Sequence, residues 1–469
     1  MLISIKILLL LFAINFAPAF LSFLIEDKWN APVDFNAKMR DGRPLFGSHK
    51  TIRGICAAVL AGVLAGILLN FLWWEGVCAG LLSMVGDLLS SFIKRRAGLL
   101  EGANAPGLDQ ILEASAPFVF LSPRFSINGF ALISIIAVFF ISAYYGSLLF
   151  KSLLLKKPHE NYPRKITPKL RMRELKSCQI TSYPLQKLLN FEDAVYYHFF
   201  MKTVFKTLGV YRKGVYNALQ IKLQNRTIFL PNLPKTFEDY TILYISDLHL
   251  DGLKGITRRL NKILKPLPVV DLCILGGDYR VKMYGIFQNV LLKMEKLMKN
   301  IKTRDGIYAV LGNHDCIEMI QPMEDMGITF LVNNSIPLER HGSYIWLVGV
   351  DNPHYYKCHD LKQAFSEVPT GSCSILASHS PAIYKEAEEY GTDLCLCGHT
   401  HAGQIQIPGF GPVFTHTKAP RKFCHGNWKF KNMTGYTSSG AGVSGVPVRF
   451  YTHGEVALIT LRKPIFSGS

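Results

Sequence analysis

Long apolar runs dominate residues 1–150, whereas short apolar stretches alternate with polar ones in the rest of the chain. A helix needs roughly 20 apolar residues to cross a bilayer. Four runs approach that length, namely residues 3–24, 52–74, 76–93 and 130–150, and a fifth run, 108–121, is short enough to be a tilted or re-entrant helix. The pattern predicts an α-helical polytopic membrane domain with five spans.

Basic residues between these runs predict how the domain is oriented. They follow the first, third and last runs: Lys38, Arg40, Arg43, Lys50 and Arg53; Lys94, Arg95 and Arg96; Lys151, Lys156 and Lys157. Because cytosolic loops carry an excess of Lys and Arg, we expect the N-terminus outside and the C-terminal residues in the cytosol. A signal peptide is the alternative for the first run, but its basic start is only Lys6 and more runs follow.

The second half has the pattern of a layered α/β domain. Five short β-rich runs, at residues 240–246, 269–275, 306–311, 374–377 and 393–397, each end at a polar loop. Helical periodicity appears between them, at residues 254–264 and 287–299. Buried strands joined by helices predict an α/β fold with polar residues at the carboxyl ends of the strands.

Charge and cysteine usage narrow the setting. The net charge of +18 suits either nucleic acid or an anionic membrane surface. The sequence shows no recognisable nucleic-acid-binding module, so we expect membrane lipids rather than nucleic acid as partners. The ten cysteines include no CxxC pair, and Cys273, Cys395 and Cys397 lie in apolar runs. This usage predicts a reducing compartment, which agrees with a cytosolic C-terminal domain.

Residues 151–221 differ from both halves. Residues 151–173 are rich in Lys, Arg and Pro, and the prolines prevent a continuous helix. Residues 185–215 carry many aromatic residues among Lys and Arg. This stretch is either an amphipathic helix in the membrane interface or a helix packed on the C-terminal domain. The predicted domains are therefore a membrane domain (1–150), a linker (151–221) and a C-terminal domain (222–469).

Five polar motifs in the second half carry side chains that bind metal ions. They are Asp247-Leu248-His249, Gly277-Asp278, Gly312-Asn313-His314-Asp315, His379 and Gly398-His399-Thr400-His401. A single histidine is most often an ordinary buried polar residue, but this whole set on strand-end loops predicts two cations about 3.5–4 Å apart. The carboxylate and imidazole ligands suit manganese, iron or zinc. The first site would use Asp247, His249, Asp278 and His401, and the second Asp278, Asn313, His379 and His399.

Such a pair of cations indicates phosphoester hydrolysis by an activated water that attacks phosphorus in line. His314 follows the ligand Asn313, so we expect it to donate a proton or hydrogen bond to the leaving or equatorial oxygen. Asp315 would then either orient His314 or cap the helix that follows. These two residues are the predicted catalytic pair.

These motifs resemble those of the calcineurin-like metallophosphoesterases over residues 222–461. The tail GAGVSGVPVRF (440–450) and the motif GHTHAGQ (398–404) resemble the membrane-associated bacterial branch, which implies a bacterial inner membrane. The resemblance implies a four-layer α/β/β/α sandwich. Arg280 departs from the family pattern, in which many members carry a second acid soon after the ligand aspartate, and Ala402 replaces a common glycine.

Two polar loops in the membrane domain also suggest chemistry. They lie at residues 32–54 and at 86–96, with 106–110 beyond. On a helix, Asp87, Ser91 and Lys94 share one face, because they are spaced i, i+4 and i+7. A carboxylate inside a span costs about 2.5–3.5 kcal/mol on insertion scales, so it rarely persists without a partner or a function. The alternative is a helix-capping acid beside a basic cluster.

The stretches FGSHKTIRG, GDLLSSFIKRR and PGLDQ resemble the CDP-archaeol synthase branch of the membrane CTP:lipid-phosphate cytidylyltransferases. The resemblance covers nearly all of residues 1–150. It implies that magnesium and CTP activate a lipid phosphate, with release of pyrophosphate. It also implies that Asp87 and Asp109 bind the metal ion. The residues that would bind the triphosphate are Lys50, Arg53, Lys94 and Arg95.

Three hypotheses follow. In the first, the protein is a bifunctional enzyme whose membrane half makes a CDP-lipid. Its soluble half hydrolyses a phosphodiester or pyrophosphate that is linked to a lipid or a nucleotide. In the second, a phosphodiesterase is held by an inert membrane anchor. In the third, the protein is a non-enzymatic metal-binding scaffold, which would not need the complete ligand set.

Overall fold

The computed structural model describes two compact units, residues 1–156 and 157–469. The described residues are 2–25, 28–35, 37–41, 43–47, 50–97, 108–125, 129–154, 162–164, 167–179, 188–191 and 193–464. The further division of the second unit into a linker and a C-terminal domain stays a prediction.

In the first unit, the described residues form five helices around one apolar core. They are α1 (Leu2–Ile25), α2 (Ile52–Leu68), α3 (Trp73–Arg96), α4 (Leu108–Leu121) and α5 (Gly129–Leu154). The predicted second span, residues 52–74, is too long at its end, because Trp73 and Trp74 begin α3. Asn70 has φ +63°, which interrupts the helical backbone after α2. The Glu75 carboxylate then accepts a hydrogen bond from the backbone N–H of Leu72 at the start of α3. Hydropathy averaged over the run does not reveal this break, because Asn70 and Glu75 are isolated polar residues among apolar ones.

Two segments of the described residues are long and apolar enough to cross a membrane, Ile3–Ser22 and Trp73–Arg96. Three further apolar stretches are shorter: Ile52–Leu68, Ile111–Leu121 and Ile133–Gly146. The structure thus has a helix at each predicted position, whereas the five-span topology stays a prediction.

Small residues allow α2 and α3 to pack closely. A Cβ on Gly62 would lie 2.4 Å from the carbonyl oxygen of Gly76, and one on Gly76 would lie 2.3 Å from that of Gly62. Close approach of small residues is a common way to associate helices in lipid, where apolar burial between helices is a weak driving force. This contact fixes α3, which carries Asp87 and the basic cluster at its end.

The second unit contains two six-stranded sheets. Strands β1 to β5 are Lys222–Phe229, Tyr240–Ile245, Leu272–Leu275, Ile307–Ala309 and Ile328–Phe330; β6 to β9 are Asn334–Arg340, Ser343–Gly349, Ser374–Ala377 and Leu394–Cys397; β10 to β14 are Gln406–Ile407, Gly411–Pro412, Gly426–Phe430, Met433–Thr437 and Glu455–Arg462. The first sheet has the order β1-β14-β2-β3-β4-β5 and the second β12-β13-β9-β8-β7-β6. Strands β10 and β11 form a separate hairpin. Both large sheets mix parallel and antiparallel pairs.

The sheets pack face to face, and helices cover their outer faces. Ile242 and Tyr244 of β2 join a core shared with the second sheet, whereas Leu243 and Ile245 of the same strand face helices. This alternation follows from the two-residue period of a strand. The helices against the first sheet include Ile256–Leu264 and Gln288–Met298, and those against the second include Leu361–Ala364 and Tyr384–Glu389. The expected α/β/β/α layering is therefore present.

The stretch predicted as one helix over residues 185–215 is broken into shorter pieces. Residues 180–187 and 192 lie outside the described residues. The remainder forms a π-helix, Asp193–Met201, that continues into an α-helix, Lys202–Thr207, and is followed by Tyr211–Ala218. Gly209, with φ +71°, separates the last two helices.

Candidate metal centre

Loops at the carboxyl ends of five strands carry the predicted ligands. Asp247 and His249 follow β2, Asp278 follows β3, Asn313 follows β4, His379 follows β8, and His399 and His401 follow β9. The strands come from both sheets, and the two sheets bring their carboxyl ends to one edge of the sandwich. The predicted ligands are thereby gathered from 155 residues of sequence.

The gathered side chains form two clusters, Asp247–His249–His401 and Asp278–His379–His399, and the ligand atoms in each lie within 4.8 Å of one another. Asp278 lies between the clusters, since its Oδ2 is 3.3 Å from His379 Nε2 and 3.6 Å from His249 Nε2. Asn313 joins the second cluster, with its Oδ1 3.1 Å from His379 Nε2. The arrangement matches the predicted assignment to two sites with Asp278 shared.

The backbone at the centre is strained. Five ligand residues that are not glycine have positive φ: Asp247 (+53°), His249 (+40°), Asp278 (+58°), His399 (+71°) and His401 (+50°). Such conformations cost of order 1–3 kcal/mol each and persist only where surrounding contacts enforce them. The loops therefore hold the ligand atoms at fixed positions at the expense of stability.

Gly312 allows the Asn313 loop to approach Asp278. A Cβ at position 312 would lie 2.1 Å from Asp278 Oδ1 and 2.3 Å from the Asp278 backbone nitrogen. A side chain there would displace the carboxylate shared by both clusters. The Gly-Asn-His-Asp motif therefore has glycine at its first position because no room is left for a side chain beside Asp278.

Backbone carbonyls orient three of the imidazoles. His249 and His379 each donate from Nδ1, to the carbonyl oxygens of Arg280 and Gly276, both at 2.7 Å. His399 donates from Nε2 to the carbonyl oxygen of His416 at 3.0 Å. In the neutral rings these bonds leave the other nitrogen unprotonated and free to bind a cation.

Burial and mutual charge shift the pKa values of these groups. Burial lowers the pKa of His249 to about 4 and those of His399 and His401 well below their usual value, and nearby imidazoles add to the effect. Burial would also lower the pKa of His379, but Asp278 and Asp247 outweigh it and raise that pKa to about 10. Burial raises the pKa of Asp247 to about 6. For Asp278, the surrounding imidazoles outweigh burial and hold its pKa well below its usual value.

The donor set fits divalent cations. His249 Nε2 lies 3.2 Å from His401 Nε2, which lies 3.4 Å from Asp247 Oδ1. With both rings neutral, at most one proton lies among the three atoms His249 Nε2, His401 Nε2 and Asp247 Oδ1. No described residue makes a hydrogen bond with the buried Nδ1 of His401. Lone pairs that converge in a buried space without enough protons are satisfied by a cation. The residues present therefore suit divalent metal binding.

His314 lies beside the clusters rather than within them. Its backbone N–H donates to Asp278 Oδ1 at 2.9 Å, and its Nδ1 bonds the Val281 carbonyl oxygen. Its Nε2 lies 3.8 Å from Asp278 Oδ2, and the partly exposed ring lines the cavity above the ligands. This position suits a proton donor to a bound phosphoester.

Asp315 makes neither of its predicted contacts. Its carboxylate accepts three backbone N–H groups, from Gly312 (2.8 Å), Asp278 (2.7 Å) and Tyr279 (2.9 Å). It makes no bond to His314, and the short helix that follows has no side-chain cap. Burial, followed by the charge of Asp278, raises its pKa to about 6. In the structure Asp315 ties together two ligand loops, and its assignment as catalytic stays a prediction.

Two buried arginines support the loops without an acidic partner among their described hydrogen bonds. Arg280 donates to the carbonyl oxygens of His314, Gly285, Met283 and Ser177. Arg449 donates to those of His401, His453, Ser439, Gly440 and Gly442. The departure at Arg280 is thus accommodated, because the guanidinium fixes the His314 loop. Arg449 was not predicted, although it lies in the quoted tail.

A cavity of about 270 Å³ opens above the clusters. His354 lines it, and its ring lies tilted against that of His399, with the ring centroids 4.5 Å apart and the planes at 47°. It belongs to the loop 351–360, which Arg164 holds by donating from Nη2 to Asp351 Oδ1 at 2.8 Å.

The cysteines depart from expectation at one position. Among the cysteines whose side chains the structure describes, eight are free, but Cys316, next to Asp315, is disulfide-bonded. A disulfide does not fit the reducing compartment that cysteine usage predicted, and the cytosolic location stays a prediction.

In the first unit, the side chain of Lys50 contacts Asp87 of α3. Lys50 Nζ lies 2.5 Å from Asp87 Oδ1 and 2.6 Å from Oδ2. Lys94 and Arg95 are buried on the same helix. Arg53 does not join them, because it donates to the Lys28 carbonyl oxygen. The side chain of Asp109 and residues 48, 49, 106 and 107 of the predicted site lie outside the described residues.

Known proteins are similar to each unit separately. The family profile for calcineurin-like phosphoesterases matches residues 240–403, and that for CDP-archaeol synthase matches residues 2–149. A CDP-archaeol synthase of Sulfurisphaera tokodaii is 39% identical over 120 residues, which cover 24% of this chain and 72% of the relative. An uncharacterised metallophosphoesterase of Helicobacter pylori is 29% identical over 271 residues, covering 54% of this chain and 68% of the relative.

A transmembrane protein with metallophosphoesterase domain, from Danio rerio, is 27% identical over 297 residues, covering 58% of this chain and 65% of the relative. Together with the apolar helices, these similarities support membrane association and a hydrolase that acts on phosphoesters. The chain belongs to the CDP-archaeol synthase family through its N-terminal unit and to the calcineurin-like phosphoesterases through its C-terminal domain.

Proposed function

We propose that the C-terminal domain hydrolyses a phosphodiester or pyrophosphate that is linked to a lipid or a nucleotide at the membrane surface. The observation that carries the proposal is the position of Asp278 between the two clusters, 3.3 Å from His379 and 3.6 Å from His249. A carboxylate that reaches both clusters would suit two closely spaced cations. A scaffold that bound one metal would need only one cluster.

The chain would bind the phosphate and move protons around it. A pair of divalent ions, when bound, would supply the charge that activates water and neutralises the phosphoryl oxygens. His314 would face the leaving oxygen with its Nε2, and the Val281 carbonyl would hold the ring through Nδ1. In its imidazolium form His314 then donates a proton from Nε2. His354 narrows the cavity beside His399 and would contact the group beyond the phosphate.

The test is a hydrolysis assay with the full-length chain in detergent. The substrates are p-nitrophenyl phosphate, bis(p-nitrophenyl) phosphate and CDP-diacylglycerol, each with manganese, iron or zinc. We expect metal-dependent cleavage of the diester or the pyrophosphate, faster than of the monoester, and loss of this activity in Asp247→Ala. Failure to cleave any of the three with each metal would reject the proposal.

We further propose that the N-terminal unit forms a CDP-lipid from CTP and a lipid phosphate. The supporting observation is the contact between Lys50 and Asp87 on a helix that also buries Lys94 and Arg95 two turns further along, so an oxygen ligand and cations lie on the same element. The resulting CDP-lipid contains a pyrophosphate, so the fused hydrolase would meet it at high effective concentration. Labelled CTP and phosphatidic acid or an archaeal-type lipid phosphate should give labelled CDP-lipid with wild type but not with Asp87→Ala. If wild type makes none with either lipid, the membrane unit is an inert anchor.

The five-span topology and a cytosolic C-terminal domain are part of the same proposal. The basic residues after the apolar runs support it. In inside-out membrane vesicles, added protease should digest the C-terminal domain, and in right-side-out vesicles it should not. The reverse pattern would place the centre outside.

A further inference from the structure

The mouth of the cavity is flanked by two apolar projections of the C-terminal unit. One is the helical segment 193–207, whose Tyr196, Tyr197 and Met201 line the cavity. The other is the hairpin of β10 and β11, residues 405–414, whose Ile405 and Phe414 line it. We call these the aromatic helix and the hairpin. Both reach the cavity that holds the metal ligands.

Phe450 joins the two projections. Its ring stacks on Phe205 of the aromatic helix with ring centroids 5.6 Å apart. Its backbone pairs with Ile405 of the hairpin and exchanges hydrogen bonds with Gln404 and Gln406. Phe450 therefore holds the two projections next to each other, so both can contact the same surface.

Both projections expose large apolar side chains to solvent. On the aromatic helix, Phe199 is 71% exposed and Phe200 54%. On the hairpin, Phe410 is 80% exposed, and Ile407 and Phe414 are also exposed. Aromatic residues in water at the rim of a cavity need a partner surface, because an apolar patch of this kind is unfavourable on a monomer.

The charge around the projections identifies the partner as anionic. Residues 194–237 contain no Asp or Glu, and neither do residues 394–454. The same stretches expose Lys206, Arg212 and Lys213 near the aromatic helix and Lys418, Arg421 and Lys422 near the hairpin. Aromatic side chains that enter the headgroup region, ringed by Lys and Arg, are the pattern of a protein face that docks on anionic phospholipid.

We propose that the aromatic helix and the hairpin dock the metal centre onto an anionic lipid bilayer, so that the phosphate of a membrane-embedded lipid enters the cavity between them. This rests on the proposed hydrolase function and specifies its substrate class as a lipid that remains in the membrane. The two projections would orient the cavity toward the bilayer on which they dock.

The test is photocrosslinking of the full-length chain in vesicles of phosphatidylglycerol and phosphatidylcholine that contain a diazirine-labelled phospholipid. We expect label on peptides from 193–208 and 405–414, in addition to the N-terminal helices. The double variant Phe199→Ser/Phe410→Ser should lose about tenfold of the label on both segments, because each substitution removes a ring from the apolar region. Vesicles of phosphatidylcholine alone should also reduce it, because they lack the anionic charge.

The matched control is Tyr344→Ser/Tyr390→Ser, which removes two exposed aromatic rings near the amino-terminal ends of β7 and β9, away from the centre. It should leave the label unchanged. All three proteins should cleave bis(p-nitrophenyl) phosphate in detergent at similar rates, because neither Phe199 nor Phe410 lines the cavity.

The proposal is overturned if wild type carries no more label on 193–208 and 405–414 than around Tyr344 and Tyr390, or if the double variant keeps it. Crosslinks from these segments to a second copy of the chain, instead of to lipid, would also overturn it. Absence of diester cleavage with normal labelling would instead reject the hydrolase function and leave the docking surface in place.

Discussion

The carboxylates of the two polar centres are balanced in different ways. In the membrane unit, Asp87 lies 2.5 Å from the ammonium of Lys50, so its charge already has a partner within the chain. In the C-terminal domain, Asp247 and Asp278 are buried among imidazoles whose ring nitrogens face them. The first arrangement is stable without a ligand, whereas in the second the Asp247–His249–His401 cluster leaves lone pairs unsatisfied until a cation binds.

The backbone repeats this difference. The metal centre has positive φ at five ligand residues, whereas Asp87 and Lys94 lie within the regular helix α3. Strain held by rigid strands marks a preorganised site. On a helix surface whose carboxylate is already paired with an ammonium group, a ligand has to break that ion pair before it can bind the carboxylate. The comparison indicates that the C-terminal centre suits divalent cations as it stands, whereas a ligand could use the Asp87 carboxylate only after displacing Lys50.

The largest effect should come from the shared carboxylate. In Asp278→Ala, both cation sites lose an oxygen, so hydrolysis of bis(p-nitrophenyl) phosphate should fall about 10³-fold or more. Asp87→Ala should leave that rate unchanged, because it belongs to the other unit. Glu295→Ala, at an exposed helix position paired with Lys299, is the control for the substitution itself. Comparable losses in Asp278→Ala and Asp87→Ala would show that the two centres are not independent.

A smaller effect is expected at His314. His314→Gln should lower kcat by about 10²-fold, because the proton donor is lost, while the metal content stays as in wild type. Metal content measured by mass spectrometry separates this from ligand loss. His341→Gln, on an exposed turn, serves as the control. If His314→Gln lost its metal, His314 would be a ligand and not a proton donor.

Asp315 should act on metal affinity. The carboxylate of Asp315 accepts hydrogen bonds from three backbone N–H groups, and Asp315→Asn replaces one of its oxygens with an NH₂ donor and removes its negative charge. The loops of Asp278 and Asn313 should therefore loosen. Metal affinity should weaken about 10- to 100-fold, and excess manganese should restore most of kcat. A loss of kcat that manganese does not restore would instead indicate a direct catalytic role for Asp315.

Metal uptake should depend on pH. With the centre empty of metal, His379 has a pKa of about 10, so at pH 7 it carries a proton that a cation must displace. Affinity should therefore rise with pH, by about tenfold per unit between pH 7 and 10, and should weaken further below pH 6, where Asp247 also gains a proton. Titration calorimetry at pH 7 in buffers of different ionisation enthalpy should report about one proton released. Heats independent of the buffer would contradict this.

The strand-end motifs were predictable because each is local in sequence. A short buried strand followed by a ligand residue is visible in Tyr240–Ile245 and Leu394–Cys397, and the order of the motifs predicts that they meet. The roles of Asp315, Arg280 and Arg449 were not predictable, since their partners are backbone groups brought close only by folding. The end of α2 was also missed, because Asn70 and Glu75 act through φ and capping, which an apolar run does not show.

The most direct test of the account is the number of metal ions per chain in wild type and in Asp278→Ala. After purification with manganese, mass spectrometry should find two ions per wild-type C-terminal domain and neither ion retained by Asp278→Ala, since that carboxylate serves both clusters. One ion per chain in wild type, or an unchanged number in Asp278→Ala, would contradict the claim that Asp278 joins two cation sites.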